Sequence, residues 1–431
     1  MKNWFENPEN KKMGLVLGGG GARGCYEIGA WQMLNQANIE FDCAAGTSIG
    51  ALVSAIYTQQ TLDRIVEFVG EIHPQAIAKD LFDFPENFSQ VLKSHKEISS
   101  YMEKYILSNK GMDISPLKSA VEKMFSYPLF SASKIDFACM TFNVTKKRPE
   151  AYFKKDMTAE NSVDILLASA SCYPAFPMMV MNGDDYIDGG YADNVPVDLA
   201  LKMGAKKILA INVEGPGITL PLQPGLDIVY VKPMLPLGNF LDFSSESCIR
   251  SMHIGYLETG RLIGEFTGYL YTFTKDSAAD LCFLDEYLSY RFMLIHQNLS
   301  ERQTLRIVKD SVGFRPSSLS KMASSDEIYG RLVQALAYIC QLEAVKLYTV
   351  NDFLKQLLAL LSQIRLEKVP DDLNSVWEYI SSLSEKQNIA LLHALIVQEK
   401  GQINDLIGTL ERLFFKQMML AWTWYFIEET S

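Results

Sequence analysis

Two glycine-bearing turns sit close together near the start of this 431-residue chain, Gly18-Gly19-Gly20-Gly21-Ala22-Arg23-Gly24 and Gly46-Thr47-Ser48-Ile49-Gly50. Each follows a short apolar run and opens into a helix-like segment, so both belong on strand-to-helix corners of an α/β fold. The second has the G-x-S-x-G pattern of a nucleophile elbow, in which a serine sits on a strained turn between small neighbours. The first can aim several backbone N–H groups at one point, as a developing oxyanion requires. A serine on one turn beside amide donors on the next is the minimum apparatus for acyl transfer.

Each turn has a simpler reading. Gly19-x-Gly21-x-x-Gly24 also fits the dinucleotide-binding fingerprint, with Glu40 or Asp42 at about the distance of a ribose-binding acid. Those acids precede or begin the Phe41–Ala45 run, which places them on the sheet edge opposite the turn. Ser48 follows the end of that run instead. Phe41-Asp42-Cys43-Ala44-Ala45 leads in as a strand, and Ala51-Leu52-Val53-Ser54-Ala55-Ile56-Tyr57 leads out as a buried helix. The helix N-terminus there favours negative charge during attack.

The serine needs a base. The histidines are His73, His95, His253, His296 and His393, and none stands in an obvious catalytic loop. Asp188, in Tyr186-Ile187-Asp188-Gly189-Gly190-Tyr191, is the better candidate, because an apolar pair delivers its carboxylate to a flexible two-glycine turn. Asp-Gly-Gly is also an ordinary turn, and Asp184 and Asp185 lie nearby. A Ser48–Asp188–His253 triad has the Ser, Asp, His order of α/β-hydrolases, but His253 falls in a helical segment.

Composition excludes several classes. A formal charge of −11 argues against a nucleic-acid partner and against strong electrostatic docking on anionic lipid. No apolar run reaches membrane-spanning length, and the first twelve residues hold no apolar leader. Cys25, Cys43, Cys139, Cys172, Cys248, Cys282 and Cys340 are odd in number and lack C-x-x-C spacing. Buried free thiols in a reducing compartment, and hence a cytoplasmic address, are expected. No metal-ligand cluster is evident, so neither metal nor other cofactor is expected.

From Met13 to about Met234 the pattern alternates strands, at Gly14–Leu17, Phe41–Ala45, Phe137–Asn143, Ile208–Val213 and Ile228–Val231, with helices after Gly24, Ser48 and Val195. Residues 61–130 look helical and polar, an insertion that serves either as a cap over the site or as ordinary packing. Past Ser244 every convincing pattern is helical, at Ile328–Leu347, Asp352–Ile364, Val376–Val397 and Ile403–Ile427. In the last of these Ile403, Leu406, Ile407, Leu410, Leu413 and Phe414 form one apolar stripe. A buried helix is expected there, with a membrane-interface helix as the alternative.

Taken together, the Gly18–Gly24 turn, the Gly46–Gly50 elbow and the Asp188-Gly189-Gly190 turn resemble the patatin-like phospholipase family. Ala168-Ser169-Ala170-Ser171, Tyr173-Pro174-Ala175-Phe176-Pro177, Asn194-Val195-Pro196-Val197 and Gly111-Met112-Asp113-Ile114 with Pro116-Leu117 support it. The resemblance spans roughly residues 13–213, and Ser244–Arg261 looks like a continuation seen in some bacterial members. It implies a three-layer α/β/α domain with a largely parallel sheet over 13–235, then a helical continuation over 236–275. An all-helical C-terminal domain over 276–431 follows. It also implies lipid acyl hydrolase activity of phospholipase A or lysophospholipase type, with Ser48 as nucleophile and Asp188 as proton acceptor. Gly19, Gly20, Gly21, Ala22 and Arg23 would form the oxyanion hole, with Arg23 anchoring the turn. The expected partner is a phospholipid or other fatty-acyl ester, with peripheral membrane contact as a further expectation. An acyltransferase or thioesterase with the same pair, or a silent lipid-binding module, are the alternatives; the sequence does not fix an oligomeric state.

Overall fold

In the computed structural model the N-terminal alternation folds into a mostly parallel sheet flanked by helices. The structure describes residues 2–79, 81, 111–313, 328–370 and 372–430. The chain divides into two units, Met1–Gly260 and Arg261–Ser431. The continuation expected over 236–275 therefore belongs partly to each.

The sheet of the first unit is built from β1 (Met13–Leu17), β2 (Cys43–Thr47), β3 (Asp136–Asn143), β4 (Arg148–Phe153), β5 (Met179–Met181), β6 (Asp184–Asp188), β7 (Lys207–Ile211) and β8 (Asp227–Val231). Its order is β5-β6-β3-β2-β1-β7-β8, with β4 also on β3. From β3 through β8 the pairs are parallel, whereas β4, β5 and β6 pair antiparallel. Central strands β1, β2 and β7 are buried along their whole length, as strands covered on both faces must be. One face, carrying Val16, Cys43, Ala45, Ala138, Met140, Ile208 and Ala210, packs on helix Val197–Lys202. On the other face Phe137 meets Phe130 edge-on at 5.2 Å, on the side where helices Ile49–Gln59 and Tyr127–Ala132 pack.

Three strands were not legible. β4 carries Arg148, Pro149 and Glu150 and is nowhere fully buried, the composition of a protected edge rather than a core strand. β5 and β6 are short. The expected Phe41–Ala45 strand slides to Cys43–Thr47, because Gly46 and Thr47 read as turn residues yet pair with Cys139 and Met140. Of the 61–130 insertion, helices Leu62–Glu71, Ser115–Met124 and Tyr127–Ala132 are described. Residues 80 and 82–110 of that expectation lie outside the described residues, as do 314–327, 371 and 431 of the C-terminal one.

The second unit is largely helical, as expected, and also holds a few short strands that the sequence did not announce. A small sheet of β9 (Phe266–Thr267), β10 (Thr272–Thr274) and β11 (Leu347–Tyr348) lies within it. Leu347, expected in a helix, is thus a strand residue, and the preceding helix is Gly330–Ile339. The Gln334 side chain accepts from the N–H groups of Tyr269, Leu270 and Tyr271, which fixes the approach to β10. The expected helix over 376–397 is two, Leu373–Ile380 and Glu385–Gln398, parted where Ser384 caps the second. The expected helix over 403–427 is also two, Asp405–Leu413 and Phe415–Glu428, broken at Phe414. In the first of these the stripe is incomplete, since Ile403 and Leu413 are exposed. The second is buried: Trp422, Trp424, Phe426 and Ile427 are all in the core. Trp422 Nε1 donates to Glu411, Trp424 Nε1 donates to Glu428, and the Trp424 ring stacks on His393 at 4.1 Å.

Candidate active site

Strand register brings the two distant motifs together. One side of β3 is taken by β4 along Ala138–Asn143. The other side is shared by two strands arriving from opposite directions: β2, parallel, ends with Thr47 opposite Met140, and β6, antiparallel, ends with Asp188 opposite Thr141. Met140 and Thr141 are consecutive, so their Cα atoms are only about 3.8 Å apart. The residue after Thr47 is Ser48. The Asp188 carboxylate accepts the Gly190 N–H at 2.7 Å and lines the same cavity as Ser48, whose hydroxyl lowers the Asp188 pKa against the effect of burial.

The elbow is strained, as its sequence predicts. Ser48 has φ 57° and ψ −129°, a conformation that costs a non-glycine residue about 1–3 kcal/mol and turns its side chain out of the strand line. Gly46 and Gly50 are required by space. A Cβ on the first would stand 2.2 Å from Gly50 O, and on the second 2.3 Å from Leu17 O. The Ser48 N–H donates to Ser169 Oγ at 3.1 Å, and that hydroxyl donates to Met140 O at 2.7 Å, tying the elbow back to β3.

The glycine turn lies against it. A Cβ on Gly19 would meet Asn194 Oδ1 at 2.4 Å and Ser48 Cβ at 3.0 Å. The five expected donors are not equivalent. Gly19 N–H donates to Asn194 O, Ala22 N–H to Phe240 O and Arg23 N–H to Gly20 O. Those three groups are committed to holding the turn, so the expectation narrows to Gly20 and Gly21, whose N–H groups meet no acceptor among the described residues. Arg23 has the anchoring role, donating to Gly238 O at 2.9 Å and Glu214 O at 2.5 Å.

Sequence reasoning assigned no role to Asn194 or Ser169. Asn194 is buried and clamps three loops: Nδ2 donates to Gly19 O, its N–H donates to Ile218 O, and its carbonyl accepts from Gly19. The available signal was small polar residues within otherwise apolar runs, beside turns that must approach one another.

Ser48, Asp188 and Gly19–Gly21 open into one cavity of about 370 Å³. Its other walls are mostly apolar, among them Leu52, Leu117, Phe176, Ile218 and Phe240. A narrower cleft of about 80 Å³ adjoins it through Gly21, Ile49, Leu52, Ile77, Leu117 and Phe243, and is lined further in by Val53, Phe68, Ala120, Val121 and Leu166. Burial pushes the Asp188 carboxyl up to about 6, against the lowering effect of the Ser48 and Gly190 hydrogen bonds. Asp193 is likewise raised to about 6 by burial, while the N–H groups of Val195 and Leu220 pull it down. Glu27, behind the glycine turn, is held well above the carboxylate range by burial.

No histidine lines the cavity among the described residues. His253 lies on helix Ser245–Ile263 and is exposed, His73 and His296 are exposed, and His393 belongs to the second unit. His95 lies outside the described residues. Asp42 is at the far end of β2, where its carboxylate accepts from Met13 N–H at 2.7 Å, so it does not meet the glycine turn. Among the described residues no three His, Cys, Asp or Glu side chains converge as a metal site would need.

Residues 15–201 match the model of the patatin-like phospholipase family. Among curated proteins, the chain is 30% identical over 218 residues to a lysophospholipase NTE1 of Mycosarcoma maydis, covering 49% of this chain and 10% of that protein. A lysophospholipase NTE1 of Candida albicans is 29% identical over 219 residues, 50% of this chain and 14% of that one. This chain thus corresponds to a small part of those relatives. Among solved structures, VipD from Legionella pneumophila aligns over 97% of this chain and 91% of that one, at 13% identity and a TM-score of 0.38.

Proposed function

We propose, from the premise that this chain belongs to the patatin-like phospholipase family through residues 15–201, that it is a serine hydrolase of fatty-acyl esters acting through Ser48 and Asp188. The observation that carries this reading is the meeting of β2 and β6 on one side of β3, which sets a hydroxyl and a raised carboxylate together in an apolar cavity.

Asp188 accepts the Ser48 proton as Oγ attacks the ester carbonyl. The carbonyl oxygen takes negative charge and is held by the N–H groups of Gly20 and Gly21, which are left unused by the turn's own hydrogen bonds. Collapse breaks the ester C–O bond, and the proton held by Asp188 passes to the departing alkoxide. Water then attacks the acyl-serine, giving its proton to Asp188 and returning the hydroxyl to Ser48 with release of the fatty acid. An unperturbed carboxylate is too weak a base for this near neutral pH; a value of about 6 brings Asp188 close to the working range. The adjoining cleft is lined by apolar side chains, which suits the methylenes of an acyl chain leaving the main cavity. The seven free cysteines, five of them buried, support a cytoplasmic address.

The test is hydrolysis of a soluble short-chain ester and of a lysophospholipid by wild type, Ser48→Ala and Asp188→Asn. Both variants should lose at least about a thousandfold in kcat. Residual rates near wild type, with folding intact, would remove the pair from the mechanism.

A further inference from the structure

We propose that the rim segment Ile218–Leu222 is a membrane-contact loop that seats the cavity mouth on a neutral lipid bilayer. The proposal rests on the reading of the cavity as a lipid-ester site.

Ile218, Leu220 and Leu222 are 52%, 50% and 42% exposed. They alternate with Thr219 and Pro221 in an exposed stretch that is neither helix nor strand. Ile218 also lines the cavity with Pro216 and Gly217, so the exposed apolar edge is continuous with the wall that faces Ser48. Half-exposed Tyr191, another lining residue, adds an amphipathic ring at the same mouth.

The start of the loop is tied into the fold by its backbone. Ile218 N–H donates to Gly190 O at 2.8 Å and Ile218 O accepts from Asn194 N–H at 2.6 Å. Pro216, Pro221 and Pro224 have no N–H to satisfy. The loop is held by the turn that carries Asp188, with its apolar side chains directed outward.

Charge and area narrow the occupant further. No charged residue occurs between Glu214 and Asp227. Both flanking acids are engaged, Glu214 with Lys232 at 2.7 Å and Asp227 with the Trp4 indole at 2.6 Å. In a chain of net charge −11 such a loop suits a zwitterionic surface and insertion that salt does not weaken. Three aliphatic side chains fall far short of the roughly 800 Å² per partner of a stable protein interface. The terminal helix, the other membrane candidate, has Trp422, Trp424 and Phe426 in the core.

The experiment is flotation of the full chain with phosphatidylcholine vesicles, comparing wild type, Ser48→Ala and a Leu220→Asp/Leu222→Asp double variant, each checked by thermal unfolding. Wild type and Ser48→Ala should float alike at low and high salt, which reads the surface independently of hydrolysis. The double variant should bind at least about tenfold more weakly and hydrolyse vesicle substrate correspondingly more slowly. It should also keep soluble-ester hydrolysis within about twofold of wild type, since neither side chain lines the cavity. Leu222→Trp should float and gain blue-shifted emission on adding vesicles, a readout that stands if the charged variant fails to fold. The proposal is overturned if wild type does not float, if the folded double variant floats like wild type, or if high salt releases wild type. It is also overturned if sizing shows that the substitutions separate a dimer. Loss of soluble-ester hydrolysis in wild type would instead count against the proposed function, leaving the flotation result to judge the loop.

Discussion

At the residue scale, Asp188 carries most of the consequence. Its carboxyl is raised from an ordinary value near 4 to about 6, chiefly by burial, so its protonated form is the one the folded state favours. That contribution to stability is full below about pH 4 and is lost as pH rises through 6, on the order of 3 kcal/mol in all. Asp188→Asn should therefore be inactive yet unfold at a higher temperature than wild type at pH 8, with no such gain at pH 4; an equal melting difference at both pH values would deny the raised carboxyl. In the proposed mechanism the charged form accepts the serine proton, so kcat should climb with pH through about 6. Asp193, raised to a similar value by burial, faces Val195 and Leu220 rather than Ser48. Asp193→Asn should leave that acidic limb in place, and a vanished limb would reassign it. The two turns themselves were legible in sequence, because G-x-S-x-G and D-G-G mark turns through backbone demands that few other residues meet. Asn194 and Ser169 were not, since a buried amide or hydroxyl reveals its role only through the partners that folding brings to it.

At the element scale, helix Ser115–Met124 places Ala120 in the narrow cleft beyond the main cavity. Ala120→Phe should fill that space and raise KM for long-chain esters several-fold, with butyrate esters unaffected. Equal effects on both chain lengths would mean that the acyl chain lies elsewhere. Helix Phe415–Glu428 makes a different prediction. Trp424 is buried, stacked on His393 and bonded to Glu428, so Trp424→Glu places a charge in a packed core and should cost about 3 kcal/mol or more. A variant melting like wild type would contradict the burial. This helix was readable as apolar but not as separate from Asp405–Leu413, because the break at Phe414 involves no glycine or proline. The strands beyond Ser244 were missed for a related reason: β9, β10 and β11 span two or three residues each, too short for any alternation to declare itself.

At the scale of the whole molecule, the first unit explains how residues 140 positions apart come to line one cavity. The separation Ser48 to Asp188 is bridged by β3, whose one side receives β2 and β6 end to end. Sequence periodicity could give the parallel core but not that meeting, because β6 is short and its antiparallel direction leaves no mark in composition. The same topology leaves the histidines away from the site among the described residues, so His253→Ala should keep activity within a few-fold of wild type. A loss of orders of magnitude without unfolding would restore the triad. The most direct test of the central claim is labelling by a fluorophosphonate, followed by mass spectrometry of the modified peptide. The account predicts a single adduct on Ser48 in wild type, none in Ser48→Ala, and labelling slowed by orders of magnitude in Asp188→Asn. An adduct on another residue, or undiminished labelling in Ser48→Ala, would contradict it.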